Sequence, residues 1–305
     1  MVASPDSGST PNVPGHKSGF VALVGRPNVG KSTLLNRLLG QKVAIVTPKP
    51  QTTRHRVLGI KTLPAAQIVF VDTPGLHRAR SLINRRMVEA AERAAADADI
   101  LVWVLDATAG LATAARDIAE RLAGERRPVC VVLNKIDRVP RPQLLPILAA
   151  VDQVLPGRDV VPVSATKGTN LDARVGVIVR LLPEGPQLYD AETVTDQTER
   201  ALAQELVREQ VLLQTREEVP YAVAVEINTF EDKPNVTVIS ATIHVERDSQ
   251  KGIVVGERGQ RIKEIGRAAR LELERVLGRR VYLELFVRVQ EEWTQRESLL
   301  KEFGL

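Results

Sequence analysis

Two hydrophobic periods alternate along residues 20–182 of the chain. Short apolar runs typical of strands are separated by amphipathic segments with the spacing of a helix. The predicted strands are Phe20–Val24, Arg56–Thr62, Gln67–Val71, Ile100–Leu105, Val129–Leu133 and Val160–Val163. The predicted helices are Lys31–Leu39, Ser81–Ala96, Leu111–Leu122, Gln143–Val151 and Asn170–Leu182. This alternation predicts an α/β domain over residues 19–182, with a mostly parallel sheet covered by helices on both faces.

The pattern changes after residue 182. Residues 183–195 contain two prolines, a glycine and mainly polar side chains, which predicts a linker. A smaller α+β domain is predicted over residues 196–305, and its glycine-rich segment Gly252–Gly259 is predicted to form a turn. Its predicted helices and strands are Glu199–Gln214, Tyr221–Thr229, Asn235–Glu246, Gln260–Leu277, Val281–Val289 and a short helix near Trp293–Lys301. Residues 1–18, rich in Ser, Pro and Gly, are predicted to be a disordered tail.

Composition narrows the class of protein. A length of 305 residues fits about two domains. No apolar run approaches the ~20 residues of a membrane-spanning helix, so a transmembrane function is excluded. Cys130 is the single cysteine, which excludes a disulfide framework and fits a reducing compartment. Aromatic residues make up 3% of the chain, which argues against nucleic-acid binding by stacked aromatic rings.

The segment Gly25–Ser32, GRPNVGKS, matches the phosphate-binding pattern G-x-x-x-x-G-K-[ST] between a predicted strand and a predicted helix. Its N–H groups and the start of the helix favour bound phosphate. Lys31 is expected to neutralise the β- and γ-phosphates, and the Ser32 hydroxyl to ligate Mg²⁺. The residues expected to contact the nucleotide here are Gly25, Arg26, Pro27, Asn28, Val29, Gly30, Lys31, Ser32 and Thr33.

The stretch Asp72–Gly75, DTPG, follows another predicted strand. The Asp72 carboxylate at this strand end is expected to anchor Mg²⁺ indirectly, by contacting the groups that bind the metal. Gly75 lacks a Cβ, so its N–H can approach a γ-phosphate. The two motifs together predict a nucleoside triphosphate as ligand.

Two further motifs identify the base. Asp137 of NKID can accept hydrogen bonds from the N1–H and 2-amino groups of guanine, a donor pair that adenine lacks. Asn134 is expected to bind the base edge and neighbouring loops, and the Lys135 stem to cover the ring. In the following SATK stretch, Ser164, Ala165 and Thr166 are expected at the base, with the Ala165 N–H reaching guanine O6. Four motifs in order, each after a strand, predict GTP.

The second domain is net acidic, with 17 Lys/Arg and 20 Asp/Glu over residues 196–305, although the whole chain carries a charge of +5. Its segment Arg247–Arg280 is nevertheless basic, with 10 basic and 5 acidic residues around Gly256-Glu257-Arg258-Gly259. A G-x-x-G between two helical stretches with basic flanks is typical of the KH domain, which clamps about four nucleotides of single-stranded nucleic acid. A tight helix–helix turn with a solvated basic face is the alternative interpretation.

Four stretches resemble the Era family of ribosome-assembly GTPases: GRPNVGKSTLLNRLLG, PQTTRHR, VDTPGLH and SQKGIVVGERGQRIKEIG. A threonine of the first switch must contact Mg²⁺ and the γ-phosphate. Thr52 and Thr53 both qualify, and the family pattern favours Thr53, which precedes the arginine. The resemblance implies a bacterial (type II) KH domain. The implied RNA-binding residues are Lys251, Gly256, Glu257, Arg258, Gly259, Arg261, Ile262 and Lys263.

The resemblance also bears on catalysis. Many regulatory GTPases place a glutamine where this chain has Leu76, which cannot orient water. The next residue, His77, is either a catalytic aid or, as we favour, a partly exposed loop residue. Related GTPases can hold a monovalent cation with an asparagine at the position of Asn28, so K⁺ is a candidate there. The implied catalytic set is Lys31, Thr53, Asp72, Gly75 and Asn28.

By resemblance, the protein binds GTP, GDP and Mg²⁺, and its KH domain binds the 3′ region of 16S ribosomal RNA during maturation of the 30S subunit. A cytoplasmic monomer with peripheral contact to the membrane is expected. Three alternatives remain: an RNA-binding structural protein with an inactive nucleotide site, a GTPase of RNA modification, and a GTPase of membrane remodelling. The intact motifs argue against the first, and no extra catalytic residues or long amphipathic segment favour the others.

Overall fold

A computed structural model describes residues 15–75, 82–111, 113–216 and 219–304. The first domain confirms the predicted alternation of strands and helices. Its strands are β1 (Lys17–Val24), β2 (Val57–Leu63), β3 (Ala66–Asp72), β4 (Ile100–Asp106), β5 (Val129–Asn134) and β6 (Val160–Pro162). Its helices are α1 (Lys31–Leu39), α2 (Leu82–Ala96), α3 (Thr113–Ala123), α4 (Arg141–Val154) and α5 (Leu171–Leu181).

The six strands form one sheet in the order β2-β3-β1-β4-β5-β6. Only β2 pairs antiparallel, with β3 in a hairpin, and the other described neighbours are parallel. Alternate strand residues face opposite sides, so Val102 packs with α1 and α5 while Trp103 packs with α3 and α4. The carboxyl ends of the parallel strands therefore meet at one edge, where open α/β sheets bind ligands.

The ends of the first domain differ from the prediction. Strand β1 begins at Lys17, and His16 and Ser18 are buried, so residues 16–18 are not part of a tail. The expected linker is also attached. The Ser18 N–H donates to Pro183 O at 3.1 Å, and the Ile60 N–H donates to Val194 O at 2.8 Å. Residues 183–195 thus form a strap along the first domain, because β1 and the edge strand β2 offer them backbone donors.

The second domain has the predicted element order. It contains α6 (Glu199–Gln214), β7 (Ala224–Lys233), β8 (Val236–Val245), α7 (Asp248–Val255), α8 (Gln260–Leu277), β9 (Val281–Val289) and α9 (Glu297–Glu302). The sheet order is β7-β8-β9, antiparallel and then parallel. The predicted turn Gly252–Gly259 is shorter than expected, because α7 continues through Gly252 to Val255. Within the described ranges, no helix has the length and apolar character needed to cross a membrane.

Candidate functional site

The loop between β1 and α1 packs closely against two other segments. Gly30 has φ 98°, and a Cβ there would overlap the side-chain amide of Asn134. Gly75, after β3, faces the same loop, and a Cβ at this position would lie 2.5 Å from the Pro27 nitrogen. Glycine is therefore required at both positions. The two predicted phosphate-contacting segments are brought into direct contact.

Lys31 stands at the start of α1 and is 6% exposed. Its Nζ donates to the carbonyl oxygens of Gly25 at 3.2 Å and Arg26 at 3.1 Å. Burial lowers the pKa of Lys31 to about 8, and the nearby Asp72 carboxylate opposes this effect. Phosphate oxygens at this site would stabilise the ammonium and offset the cost of burying it.

Three side chains from separate segments converge beside Lys31. The Ser32 hydroxyl donates to Asp72 Oδ2 at 2.6 Å and lies 2.9 Å from Thr53 Oγ1. Thr53 Oγ1 is 3.4 Å from the same carboxylate oxygen. The Thr52 hydroxyl donates instead to Lys49 O at 2.7 Å. The arrangement favours Thr53 over Thr52 as the residue facing the phosphates.

The Asp72 carboxylate is fully buried, and burial raises its pKa despite Lys31, Ser32 and Thr53 nearby. Among the described residues, its Oδ1 has no hydrogen-bond partner of ordinary geometry. A buried, incompletely paired carboxylate next to two hydroxyls matches the hard oxygen ligands that Mg²⁺ prefers. These residues therefore fit the predicted metal.

The base-recognition motifs also meet. Asn134 Nδ2 donates to Val29 O at 2.9 Å, and its Oδ1 accepts from the Ala165 N–H at 3.0 Å. In this structure the Ala165 N–H therefore donates to Asn134, and its contact with guanine O6 stays a prediction. Asp137 Oδ1 accepts from the Ser164 hydroxyl at 2.6 Å, which orients the carboxylate.

Lys135 extends across the phosphate loop. Its Nζ donates to Asn28 O at 2.7 Å and to Asp106 Oδ2 at 2.6 Å. This pairing lowers the pKa of Asp106, against the effect of its partial burial. These two contacts fix the end of the Lys135 side chain, which lines the site, and its stem stays the predicted cover for the ring.

A cavity of about 380 Å³ joins these groups. The predicted residues that line it are Pro27, Asn28, Gly30, Lys31, Ser32, Thr33, Thr53, Gly75, Asn134, Lys135, Ala165 and Thr166. The predicted residues that do not line it are Gly25, Arg26, Val29, Asp72, Asp137 and Ser164. Thr52, the alternative to Thr53, also lines the cavity, and six further lining residues were not predicted as contacts: Ile45, Val46, Thr47, Pro48, Gln51 and Arg138. Most of these belong to the segment before β2, where a switch loop was expected but only Thr52 and Thr53 were considered as contacts.

Asn28, the expected cation ligand, has a left-handed backbone with φ 63°. Its Nδ2 donates to Pro48 O at 2.8 Å, so the phosphate loop is tied to the segment before β2. Leu76 and His77 lie outside the described residues.

The G-x-x-G turn lies between α7 and α8, and its two glycines act differently. A Cβ at Gly256 would lie 2.6 Å from the Arg261 Cβ, so Gly256 permits close packing within the protein. Gly259 has open space around it but φ 75°. Arg261 donates to Ile253 O at 2.7 Å and thus holds the turn from inside. We expected both glycines to permit the approach of RNA, but Gly256 is also required for the packing of the turn against Arg261.

The remaining predicted RNA residues are more accessible. Lys251, Glu257, Arg258 and Lys263 are exposed, and within the described ranges no ion pair engages the three cations. A groove runs beside them between α8 and β9. It is lined by Ile262, Lys263, Gly266, Arg267, Arg270, Leu283 and Leu285. An apolar floor with basic edges suits bases on one side and phosphates on the other.

Comparisons with known proteins agree with this geometry. The family model "50S ribosome-binding GTPase" matches residues 20–135, and the model "KH domain" matches residues 218–294. GTPase Era of Geobacter metallireducens is 47% identical over 290 residues, which are 94% of this chain and 97% of the relative. GTPase Era of Halothermothrix orenii is 46% identical over 290 residues, 95% of this chain and 98% of the relative.

Solved structures agree equally well. The crystal structure of Era in complex with MgGDPNP and nucleotides 1506–1542 of 16S ribosomal RNA has a TM-score of 0.92 at 45% identity, covering 95% of this chain and 99% of that one. A variant of Aquifex aeolicus Era bound to GDP·AlF4⁻ has a TM-score of 0.91 at 45% identity, covering 94% and 99%. With both domains, their motifs and nearly the full length matched, the chain belongs to the Era family of GTPases.

Proposed function

We propose that this protein is a GTP-hydrolysing switch that binds the 3′ region of 16S ribosomal RNA and assists maturation of the 30S subunit. The observation that carries the proposal is the convergence of Ser32, Thr53 and Asp72, from three separate segments, beside the buried Lys31. The Era complex that contains both MgGDPNP and 16S ribosomal RNA supports the choice of nucleotide and RNA.

At the phosphate end, Lys31 would bind the β- and γ-phosphates, and the Ser32 and Thr53 hydroxyls, beside the Asp72 carboxylate, would hold Mg²⁺. The metal neutralises charge that develops on the phosphate oxygens during hydrolysis. Gly75 lies against the phosphate loop, so its N–H is close to the γ-phosphate position. Loss of the γ-phosphate removes the contacts of Thr53 and Gly75, which frees both switch segments.

At the base end, Asp137 accepts from guanine and Ser164 keeps its carboxylate oriented. Asn134 braces the phosphate loop and the 164–166 loop together. We further propose that the protein is a cytoplasmic monomer and that any membrane contact is peripheral.

RNA binding is assigned to the exposed cations around the G-x-x-G turn, and we test it without changing a glycine. Arg258→Gln with Lys263→Gln removes two exposed charges and leaves Gly256 and Arg261 in place. We expect the affinity for a 16S 3′-end oligonucleotide to fall. The slope of log affinity against log salt should decrease by about 1.4, at roughly 0.7 per lost phosphate contact for a single strand.

The matched control is Lys233→Gln with Lys301→Gln, which removes two exposed cations elsewhere in the domain. Fluorescence anisotropy over a salt series measures both variants. Equal salt slopes for the two double variants would contradict the assignment of RNA to this turn.

A further inference from the structure

The segment that carries Thr53 is attached to the second domain. We define residues 43–56, which precede β2, as the switch loop. Ile45 in this loop is 3% exposed and belongs to the core cluster of the second domain, with Leu206, Val207 and Leu212 of α6. The loop that reaches the phosphates is therefore packed on a helix of the other domain.

Glu209 of α6 holds the first half of the switch loop. Glu209 is 2% exposed, and its carboxylate accepts from the Val46 N–H at 2.8 Å. The same carboxylate pairs with Lys42, just before the loop, at 2.6 Å. Lys42 also pairs with Glu272 of α8 at 2.7 Å, so both long helices of the second domain take part.

Arg208 of α6 holds the second half. It is 3% exposed, and its Nη2 donates to Thr52 O at 2.5 Å. Glu205 accepts from Nε of the same guanidinium at 2.8 Å and from the same Nη2 at 2.5 Å, in a two-point pair that fixes its plane. The Thr52 carbonyl and the Thr53 nitrogen share one planar peptide group, so fixing one orients the other.

Arg54, the residue after Thr53, is anchored to the same domain. Its guanidinium donates to Val223 O at 2.7 Å and to Tyr221 O at 3.0 Å, and it lies 5.8 Å from the centre of the Trp293 ring. Thr53 thus stands between two neighbours held by the second domain. Its own hydroxyl faces Ser32 and Asp72 of the first.

We propose that Arg208, braced by Glu205, is a positioning residue for Thr53, so that a helix of the RNA-binding domain completes the GTP site. The inference rests on the proposed role of Thr53 toward Mg²⁺ and the γ-phosphate. Arg208 does not line the nucleotide cavity. It acts through the Thr52 carbonyl and places the Thr53 hydroxyl before the nucleotide arrives, which lowers the ordering cost of binding GTP.

The expected signature is selective for the γ-phosphate. GDP does not need Thr53, so loss of Arg208 should leave GDP affinity unchanged. Affinity for a non-hydrolysable GTP analogue should fall about tenfold, the effect of one charge-assisted hydrogen bond. A general loss of folding would lower the binding of both nucleotides together.

The experiment uses the full-length chain in Mg²⁺. Arg208→Met keeps the length of the side chain and removes its donors, while Arg208→Lys retains one donor and should restore part of the affinity. The matched control is Arg279→Met, which breaks a pair with Glu199 of the same helix but has no contact with the switch loop. The ratio of GTP-analogue to GDP affinity is measured by calorimetry, and thermal melting checks the fold.

If Arg208→Met unfolds, Glu205→Gln replaces it, with an expected shift of about threefold in the same ratio, because the brace weakens but Arg208 remains. An unchanged ratio in the folded variant, or an equal change in the Arg279→Met control, would overturn the inference.

A further pair of variants separates this inference from the proposal on which it rests. Thr53→Ala should lower the same affinity ratio, and adding Arg208→Met to it should cost little more, since both remove one interaction. No effect of Thr53→Ala would refute the role of Thr53 itself. A strong effect of Thr53→Ala with none from Arg208→Met would refute only the positioning role.

Discussion

The two binding regions of this protein use charge in opposite ways. The nucleotide site depends on few charges that are buried, with Lys31 at 6% exposure and Asp72 at 0%. The surface around the G-x-x-G turn has several cations in solvent, among them Lys251, Arg258 and Lys263. A buried charge is weakly screened and strongly coupled to its partner, whereas an exposed one is screened by salt. The first region should therefore be sensitive to single substitutions and the second to ionic strength.

The strongest test of this contrast exchanges one cation in each region for methionine. Lys31→Met removes a buried charge that the phosphates and Asp72 both require, so GTP affinity should fall at least about a hundredfold. Arg258→Met should reduce affinity for the RNA oligonucleotide less than about tenfold. Calorimetry and anisotropy at one salt concentration give both values. Comparable losses at the two positions would break the comparison.

The next largest effect is expected at the base. Asp137→Asn replaces the carboxylate proposed to accept two guanine donors with a neutral amide, so the preference for GDP over ADP should fall about thirtyfold. Competition with a fluorescent nucleotide measures it, and Asp172→Asn, an exposed change at the start of α5, is the control. Retained guanine preference would mean that the base is recognised elsewhere.

The smallest expected effect concerns Asn28. If this residue helps to hold K⁺ at the phosphates, hydrolysis should be several-fold faster in K⁺ than in Na⁺, and Asn28→Ala should remove the difference. Phosphate release at constant ionic strength measures the rates, with Lys233→Gln as the unchanged reference. Equal rates in both salts would exclude a K⁺ requirement, and only protein charges and Mg²⁺ would then act on the phosphates.

Most of the fold was predictable because its signals are local. The limits of α1, α6, α8 and β9 match the predicted segments residue for residue. Apolar periodicity and glycines at both ends of α1 specify these limits within a few neighbouring residues. The four GTP motifs were likewise recognisable, since each is a short stretch of consecutive residues that lies at the carboxyl end of one strand.

The parts that were missed depend on contacts between distant segments. The partner of the Ala165 N–H is Asn134, 31 residues earlier, and the partner of the Thr52 carbonyl is Arg208, 156 residues later. Neither pairing leaves a periodic signal. Arg208 itself looks like an ordinary charged residue on an amphipathic helix, and only the folded chain reveals that it is buried against the switch loop.

The strap formed by residues 183–195 covers the outer side of β2, an edge strand of the six-stranded sheet. Val194 O accepts the Ile60 N–H, and the Thr195 hydroxyl donates to Leu58 O. An uncovered edge strand is a template for association with another chain. A truncated version that stops at residue 182 would bare this edge and invite aggregation, so an isolated GTP-binding fragment should extend through Thr195.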